Sequence, residues 1–503
     1  MGKYIHTRGG LHNMEQRTAL GKLWRFIRHY NRYIKVGLIS LIALAIAMLP
    51  VETFGIAGLT PIQQRVIAIF VWAACMWIIE AVPAWTTSLL IIVIMLLTIS
   101  DSGISLLVDG YSKSELISYK VIMNTFANPT VMLFMGGFIL ALVASKSGID
   151  VSMARAMLKP FGSNPKVVLF GFMLVTALFS MFVSNTATAA MMLTFLAPVL
   201  RQLPPTEKGT AALALAIPIG ANIGGLATPI GTPPNGIALQ YINDVDGLNL
   251  GVDFGEWTMV MAPLMLSILV ISWLLLRFAY PFTAKKINLH IMGGAKKGWR
   301  TYVIYATLAI TILLWMFEKV TGINSYVVAL IPIGVFAITR IIKSSDLKDI
   351  DWACLWMVAG GFALGEGMSK TGLAETMVNA IPFGTQPALG VMIGGGIVCW
   401  ILSQFISNSA ATALMVPIMV AVGTAMKDSL GAYGGIGTLL VGVAMAASFA
   451  MALPISTPPN AIAYSTGLIK TSQMFKIGIT IGVISLVLGY ALVIVIGRTG
   501  IFG

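Results

Sequence analysis

Long apolar runs separated by short polar segments fill the chain from residue 36 to its C-terminus. A helix needs about 20 apolar residues to cross the hydrocarbon core of a bilayer. The runs long enough to do so cover residues 36 to 56, 61 to 82, 84 to 100, 128 to 146, 209 to 242, 257 to 280, 301 to 320, 323 to 342, 352 to 370, 433 to 468 and 474 to 497. The pattern predicts an all-α polytopic membrane protein with about 11 transmembrane helices.

Two further apolar runs, residues 166 to 200 and 387 to 425, carry polar triplets near their centres. Each run is too short for two crossings and a turn, so we expect two re-entrant hairpins that turn near the midplane. Non-helical backbone at that depth is tolerated where protein or a water-filled cavity surrounds it. The triplets, Ser184-Asn185-Thr186 and Ser407-Asn408-Ser409, suit such turns because their oxygens can cap free N-H groups.

Three sequence blocks occur twice at nearly constant spacing. The offset is 223 residues for SNTATAAMM and SNSAATALM, 225 for PIGTPPN and PISTPPN, and 224 for the two segments that begin with GGF. The copies start at residues 184 and 407, 229 and 454, and 136 and 360. Chance similarity of apolar segments would not keep this register, so the chain contains an internal repeat.

The paired prolines of the second block predict two broken helices. Pro233-Pro234 and Pro458-Pro459 remove backbone donors and interrupt a helical hydrogen-bond ladder. The start of a half-helix favours an anion, while carbonyl oxygens of an unwound segment can bind a cation. The duplicated motifs contain no lysine or arginine, so these dipoles and co-bound cations would have to balance an anionic substrate.

Charge after the two GGF helices differs between the repeats. Arg155, Lys159 and Lys166 follow the first, whereas residues 373 to 400 contain Glu375 and no Lys or Arg. Short basic segments stay in the cytoplasm. The two copies are therefore predicted to run in opposite directions, as inverted repeats of an alternating-access carrier do.

The overall composition agrees with a membrane protein: 57% of the residues are hydrophobic and 10% are charged. The net charge of +13 is concentrated at the membrane flanks, so we expect no nucleic-acid partner. Residues 1 to 35 contain eight basic residues and one acid, which predicts a cytoplasmic N-terminus. A second basic segment (Lys285, Lys286, Lys296, Lys297, Arg300) should also lie inside, and an acidic loop (Asp244, Asp246, Asp253, Glu256) outside. The compact loops predict a prokaryotic inner membrane protein.

Enzyme chemistry has few candidate residues in the spans. The four histidines lie outside the spans, and the three cysteines are scattered without metal-ligand spacing. A channel would be expected to show rings of like charge, which the sequence lacks. Serine, threonine and asparagine can instead be simple hydrogen-bonding groups between helices, but this alternative explains a single triplet better than a duplicated set.

At these motifs the chain resembles the divalent anion/sodium symporter family, also called INDY-type or SLC13-like carriers. The resemblance implies a homodimer in which a transport domain moves across the membrane against a scaffold, as an elevator. It divides the chain into a basic segment (1 to 35), N-terminal scaffold spans (36 to 127), a first inverted repeat (128 to 280), a basic loop with scaffold spans (281 to 351) and a second inverted repeat (352 to 503).

The resemblance also assigns candidate residues, position by position. It implies that substrate carboxylates contact Asn185, Thr186, Asn408, Ser409, Thr457 and Pro458. It implies that Na⁺, the coupling ion, binds at one site formed by Ser180, Ser184, Asn185 and Gly231, and at a second formed by Ser403, Asn408, Ser456 and Pro458. No organic cofactor is implied.

The expected function is sodium-coupled symport of di- or tricarboxylates such as succinate, malate, fumarate or citrate. The chain departs from the family pattern at Ser409, where threonine would complete the second motif. Two alternatives stay open on sequence: a sodium-independent dicarboxylate exchanger, and a sulfate transporter of the same family.

Overall fold

The computed structural model describes residues 19 to 204, 206 to 244, 248 to 287, 294 to 295, 297 to 380, 386 to 499 and 501 to 502. Residues 1 to 18 of the predicted basic segment, together with Asp246 and Lys296, lie outside these ranges. Within them the chain is α-helical without β-strands, apart from one isolated bridge between Ser100 and Ile117. The predicted all-helical fold class is confirmed.

The helices of the first half are α1 (Ala19–Met48), α2 (Pro61–Ile79), α3 (Ala84–Thr98), α4 (Ser105–Val108), α5 (Tyr119–Asn124), α6 (Pro129–Ser147), α7 (Ile149–Leu158), α8 (Pro165–Ser180), α9 (Asn185–Leu200), α10 (Gly209–Gly225), α11 (Pro233–Ile242) and α12 (Phe254–Ala279). Those of the second half are α13 (Trp299–Met316), α14 (Glu318–Thr321), α15 (Ser325–Val328), α16 (Leu330–Ile338), α17 (Trp352–Lys370), α18 (Leu373–Ala380), α19 (Ala388–Ser403), α20 (Asn408–Ala425), α21 (Lys427–Leu430), α22 (Gly435–Ser448), α23 (Pro458–Ser465) and α24 (Thr471–Gly497).

Six helical stretches of the described chain are individually long and apolar enough to cross a bilayer: Pro61–Ile79, Tyr119–Ser147, Phe254–Ala279, Trp299–Met316, Asn408–Ala425 and Thr471–Gly497. Several shorter apolar helices of 10 to 17 residues accompany them, and four of these adjoin a motif interruption: Pro165–Ser180, Asn185–Leu200, Gly209–Gly225 and Ala388–Ser403. The structure thus supports an integral membrane protein, while the number of crossings stays a prediction.

The interruptions lie where the sequence predicts them. We call α8 with α9 the first hairpin, α10 with α11 the first broken helix, α19 with α20 the second hairpin, and α22 with α23 the second broken helix. Each hairpin turns just before its motif asparagine, and each broken helix resumes at the first proline of its pair.

Other boundaries differ from the sequence prediction. Helix α1 begins at Ala19, well before the predicted start of the first span at residue 36, because the basic segment continues the same helix. The predicted span at residues 323 to 342 is two short helices, α15 and α16. The short helices α7 and α18, which follow the two GGF helices at matching repeat positions, were not predicted because they lack a long apolar run.

Close packing at glycine joins the first hairpin to the first broken helix. A Cβ at Gly220 would lie 2.7 Å from the Met173 carbonyl oxygen, and one at Gly224 would lie 2.4 Å from that of Ala177. Small residues four apart allow such backbone contact between membrane helices, where apolar side chains gain little by leaving lipid. This contact fixes the height of the first hairpin tip relative to the first break.

In the second pair, a tyrosine from α24 occupies the corresponding interface. Tyr490 is buried, and its hydroxyl donates to the Met392 carbonyl oxygen at 3.3 Å. Its ring fills the space beside Gly396 of α19 and Gly442 of α22, where an added Cβ would lie within 3 Å of the ring or hydroxyl. The second hairpin and second broken helix are therefore joined partly through α24.

Ion pairs link the membrane flanks. Lys146, at the end of α6, lies 2.7 Å from Asp346 and 2.9 Å from Asp349, in the segment that leads into α17. The end of one GGF helix thus lies beside the segment that leads into the other. On another flank, Lys319 pairs with Glu256 of the predicted outer loop.

A buried carboxylate anchors the loop after the first hairpin. Glu207 accepts hydrogen bonds from the backbone N-H groups of Thr283, Ala284 and Gly209, and from the Thr283 hydroxyl. Burial alone would raise the pKa of Glu207, but these hydrogen bonds outweigh it and lower the pKa below its usual value. The loop is thereby fixed to the segment that follows α12.

Candidate substrate and cation site

The two hairpin tips and the two helix breaks meet around one cavity of about 270 Å³. All six residues predicted to contact substrate line it: Asn185, Thr186, Asn408, Ser409, Thr457 and Pro458. Ser184, Gly231 and Ser456, from the predicted cation sites, line it as well. The tertiary structure thus brings together residues that are more than 200 positions apart in the sequence.

Four helices begin at this cavity. Helices α9, α11, α20 and α23 start at Asn185, Pro233, Asn408 and Pro458, all of which line it. Free N-H groups and the positive end of the helix dipole favour an anion at such a position. The described lining contains no lysine or arginine and one carboxylate, Asp351. The cavity can therefore attract an anion through backbone dipoles.

The motif serines cap their helices as predicted. Ser184 Oγ accepts from the Ala187 N-H at 3.3 Å, and Ser407 Oγ accepts from the Ala410 N-H at 3.2 Å. A capping side chain satisfies one free donor at a helix start and leaves others available. The serines thus position the asparagines that follow them.

Asn185 lies among three neutral oxygens. Because two of them are carbonyl oxygens, the amide must turn its NH2 group toward them, and Nδ2 then lies 3.1 Å from Gly231 O, 3.2 Å from Ala221 O and beside Ser180 Oγ, with two hydrogens to share among them. Ser180 Oγ also donates to Ala221 O at 2.7 Å. Carbonyl oxygens at the end of a half-helix are the ligands that carriers use for Na⁺. When Asn185 Oδ1 faces the other oxygens of the cluster, the cluster fits a small cation.

Two glycines allow this close approach. A Cβ at Gly225 would lie 2.7 Å from the Asn185 side chain, and one at Gly231 would lie 2.4 Å from the Gly225 carbonyl oxygen. Gly231 lies in this cluster through its carbonyl oxygen, and its role in cation binding stays a prediction. Ala221, whose carbonyl oxygen is the additional member, carries no sequence signal because every residue has a carbonyl.

The second cluster is similar in its serine and asparagine. Ser403 Oγ is buried and lies 2.7 Å from Asn408 Oδ1 and 3.1 Å from Ala447 O. Ser456, also predicted as a cation ligand, donates its hydroxyl to Gln404 O at 3.0 Å in the turn of the second hairpin. Its hydroxyl also accepts from the Leu453 N-H at 3.1 Å. The Asn408 side chain thus contacts Ser403, whereas that of Asn185 contacts Ser180 and also the carbonyl oxygens of Ala221 and Gly231.

The asparagines of the two TPPN segments organise the breaks. Asn235 Nδ2 donates to carbonyl oxygens in the first break, among them Thr228 O at 2.7 Å. Asn460 Nδ2 donates to Met451 O at 2.8 Å and Leu453 O at 2.9 Å in the second. Unwound backbone inside a membrane protein needs such internal partners.

One amide and one carboxylate of the cavity lining, Asn222 and Asp351, lie outside the motifs that sequence reasoning used. Asp351 caps the start of α17 through the Cys354 N-H at 3.1 Å. Asn222 is a buried amide on the otherwise apolar α10, and that isolated polar residue was a signal that could have been followed. Among the described residues, no group of three or more histidine, cysteine or carboxylate side chains could hold a metal ion.

Solved structures share the fold at low sequence identity. The YdaH transporter of Alcanivorax borkumensis aligns with a TM-score of 0.51 and 14% identity, over 75% of this chain and 86% of its own. MtrF of Neisseria gonorrhoeae, described as one of a class of antimetabolite efflux pumps, aligns with a TM-score of 0.51 and 13% identity, over 82% and 95%. These likenesses support the helical transporter fold alone.

Sequence relatives are closer. The sodium-dependent dicarboxylate transporter SdcS of Staphylococcus aureus is 29% identical over 86% of this chain and 86% of its own. An uncharacterized transporter of Schizosaccharomyces pombe, C3B8.04c, is 31% identical over 85% of this chain, which spans about half (49%) of the yeast protein.

A family model for citrate transporters, CitMHS, matches residues 74 to 434. This region contains both hairpins, the first broken helix and both GGF helices. The resemblance drawn from the duplicated motifs is thereby confirmed, and the protein is a transporter and not an enzyme. The chain belongs to the CitMHS citrate transporter family.

Proposed function

We propose that the protein is a sodium-coupled symporter of di- and tricarboxylates of the succinate, malate, fumarate and citrate class. The observation that carries the proposal is the convergence of four helix starts on one cavity without basic side chains. A dianion there is stabilised by backbone dipoles, and bound cations supply the remaining positive charge. The Staphylococcus relative is a sodium-dependent dicarboxylate transporter by name, which supports the same assignment.

In this proposal, substrate carboxylates contact the helix starts at Asn185, Asn408 and Pro458, with Thr186, Ser409 and Thr457 beside them. One Na⁺ binds at the oxygens of Ser180, Asn185 and Gly231. A second binds near Ser403 and Asn408, with Ser184, Ser456 and Pro458 at the edges of the two sites. Cation binding turns the Asn185 amide oxygen toward the ion, which frees its NH2 group for the anion.

We further propose that the protein is a homodimer of a prokaryotic inner membrane with a cytoplasmic N-terminus. Residues 36 to 127 and 281 to 351 form the scaffold, and the two inverted repeats form the domain that moves as an elevator. Light scattering of the detergent-purified protein should give twice the mass of one chain. A monomer in several mild detergents would contradict the dimer.

Reconstituted proteoliposomes test the transport proposal directly. Labelled succinate uptake should be saturable, should increase with an inward sodium gradient, and should be inhibited by external malate, fumarate or citrate. Saturable uptake that ignores sodium and requires internal dicarboxylate would assign an exchanger. Sulfate uptake without carboxylate inhibition would assign a sulfate carrier. Absence of saturable uptake of every one of these anions would overturn the proposal.

A further inference from the structure

Asn222 joins the first repeat to the second. It lies on α10, is 2% exposed and lines the cavity. Its Nδ2 lies 3.1 Å from both Thr457 Oγ1 and Asn460 Oδ1 in the second broken helix. A single side chain of the first repeat thus contacts the start of α23, where the second break ends.

The bonding of Asn460 determines which way the Asn222 amide faces. Asn460 Nδ2 donates to the carbonyl oxygens of Met451 and Leu453, so Asn460 Oδ1 is the atom left to accept. An acceptor must face a donor. The group of Asn222 that contacts Asn460 is therefore its NH2, and the second hydrogen of that NH2 lies toward Thr457.

This orientation assigns the direction of the Thr457 hydroxyl. Thr457 Oγ1 accepts from Asn222 Nδ2 and from the Asn460 N-H at 3.4 Å. A hydroxyl has one hydrogen and two acceptor lone pairs, and both lone pairs are now used. Within the described residues, Thr457 Oγ1 acts only as an acceptor, and Thr457 lines the cavity. The hydroxyl hydrogen is available to whatever occupies the cavity.

The first break lacks the corresponding arrangement. In the register of the TPPN motifs, Ala447 takes the place of Asn222. Thr232, the equivalent of Thr457, makes no side-chain capping bond. Asn235 Oδ1 is buried and, within the described residues, has no partner, whereas the equivalent Asn460 Oδ1 accepts from Asn222. The two breaks therefore differ in whether their threonine hydroxyl is oriented.

We propose that Asn222 is a positioning residue for substrate recognition, which holds the Thr457 hydroxyl as a hydrogen-bond donor to one carboxylate of the transported anion. The inference rests on the proposed function. Asn222 acts through Thr457, and its loss lets the hydroxyl rotate, so that the donor is no longer pre-organised for an anion.

A double-mutant cycle in proteoliposomes tests this link. Asn222→Ala should raise the KM for succinate about tenfold, the equivalent of about 1.4 kcal/mol, and should change the maximal rate less. In a Thr457→Val background, the same substitution should have no further effect on KM, because the hydroxyl is already gone. In a Thr457→Ser background, which keeps the hydroxyl, the effect should return.

Additive losses in the Thr457→Val background would overturn the inference, as would an Asn222→Ala protein with the wild-type KM. If Asn222→Ala does not fold, Asn222→Gln replaces it in the same cycle, since the longer side chain displaces the NH2 group. The matched control is Ser448→Ala, which removes a buried hydroxyl that bonds within its own helix to Ala444 O. Its KM should equal that of the wild type.

Uptake by the wild type distinguishes a failure of the proposed transport function from a failure of the proposed role of Asn222. If the wild type takes up no carboxylate, the proposed function fails. If it does, and the Asn222 variants behave as the wild type, only the role of Asn222 is wrong.

Discussion

In the first repeat, hairpin and broken helix are in direct contact at Gly220 and Gly224, whereas in the second the ring of Tyr490 lies between Gly396 and Gly442. The sequence motifs of the two repeats are nearly the same, yet the contacts that hold them differ. Nearly identical motifs in the two repeats therefore do not imply that the two pairs of hairpin and broken helix are equally rigid. The first pair is in direct backbone contact at its glycines, and in the second pair the ring of a third helix, α24, fills part of the interface.

The two breaks also differ, and the first is the more closely packed. Ile230 of the first break is 6% exposed, and its repeat equivalent Ile455 is 65% exposed. Glycine at positions 225 and 231 lets the first break close on Asn185, while alanine and serine occupy the matching positions 450 and 456. Under the proposed function, the first cluster is therefore the more pre-organised of the two cation sites, and pre-organisation lowers the cost of binding.

The largest expected effect comes from the motif asparagines. Asn185→Ala and Asn408→Ala should each reduce succinate uptake by about a hundredfold or more, two factors of ten at about 1.4 kcal/mol each. Asn185→Ala should also lower the melting temperature more, because it removes the side-chain donor from Gly231 O, whereas Ala221 O keeps the Ser180 hydroxyl. Uptake and melting in detergent check the pair. Equal melting losses would contradict the proposed difference between the clusters.

Glycine packing in the first pair should matter next. Gly224→Ala places a Cβ 2.4 Å from the Ala177 carbonyl oxygen, and overpacking of this kind costs about 1 to 3 kcal/mol. The melting temperature and the uptake rate should both fall. Gly394→Ala, in a helix of the second hairpin with no atom within 4 Å of the added Cβ, is the matched control and should melt as the wild type does. A stable, active Gly224→Ala protein would show that both pairs of hairpin and broken helix tolerate an added methyl group equally.

The anchor of the first hairpin predicts a dependence on pH. Hydrogen bonds lower the pKa of Glu207, so its stabilising contribution is complete above about pH 5 and is lost as the pH falls through the usual carboxyl value, about 4.3, to the lowered one. Glu207→Gln should lower the melting temperature at neutral pH. The difference from the wild type should shrink toward pH 3. A constant difference over this range would rule out a role of the charge.

The smallest effect is expected from restoring the family pattern at the second tip. Ser409 is buried at the cavity wall, and Ser409→Thr adds one methyl group to a space of about 270 Å³. The KM for succinate should change by less than about tenfold, and that for the bulkier citrate should rise more. Competition assays with both anions measure the ratio. A change larger for succinate than for citrate would argue against steric selection at this tip.

Local features were predictable from sequence because their causes are local. Paired prolines interrupt a helix wherever they stand, and serine caps the helix that follows it, so both hairpin tips and both breaks were placed correctly. The duplicated motifs also indicated the family. The prediction relied on long apolar runs. It therefore missed the short helices α7 and α18 and placed the start of α1 too late.

The sequence by itself determined a helical membrane carrier with four polar interruptions, since apolar run length and backbone chemistry act over a few residues. Only the tertiary structure decided what lies against each interruption. The bond from Asn222 to Thr457 spans 235 positions, and that from Tyr490 to Met392 spans 98. Such contacts depend on how helices pack, and packing is set by the fit of many side chains together, which no single motif records.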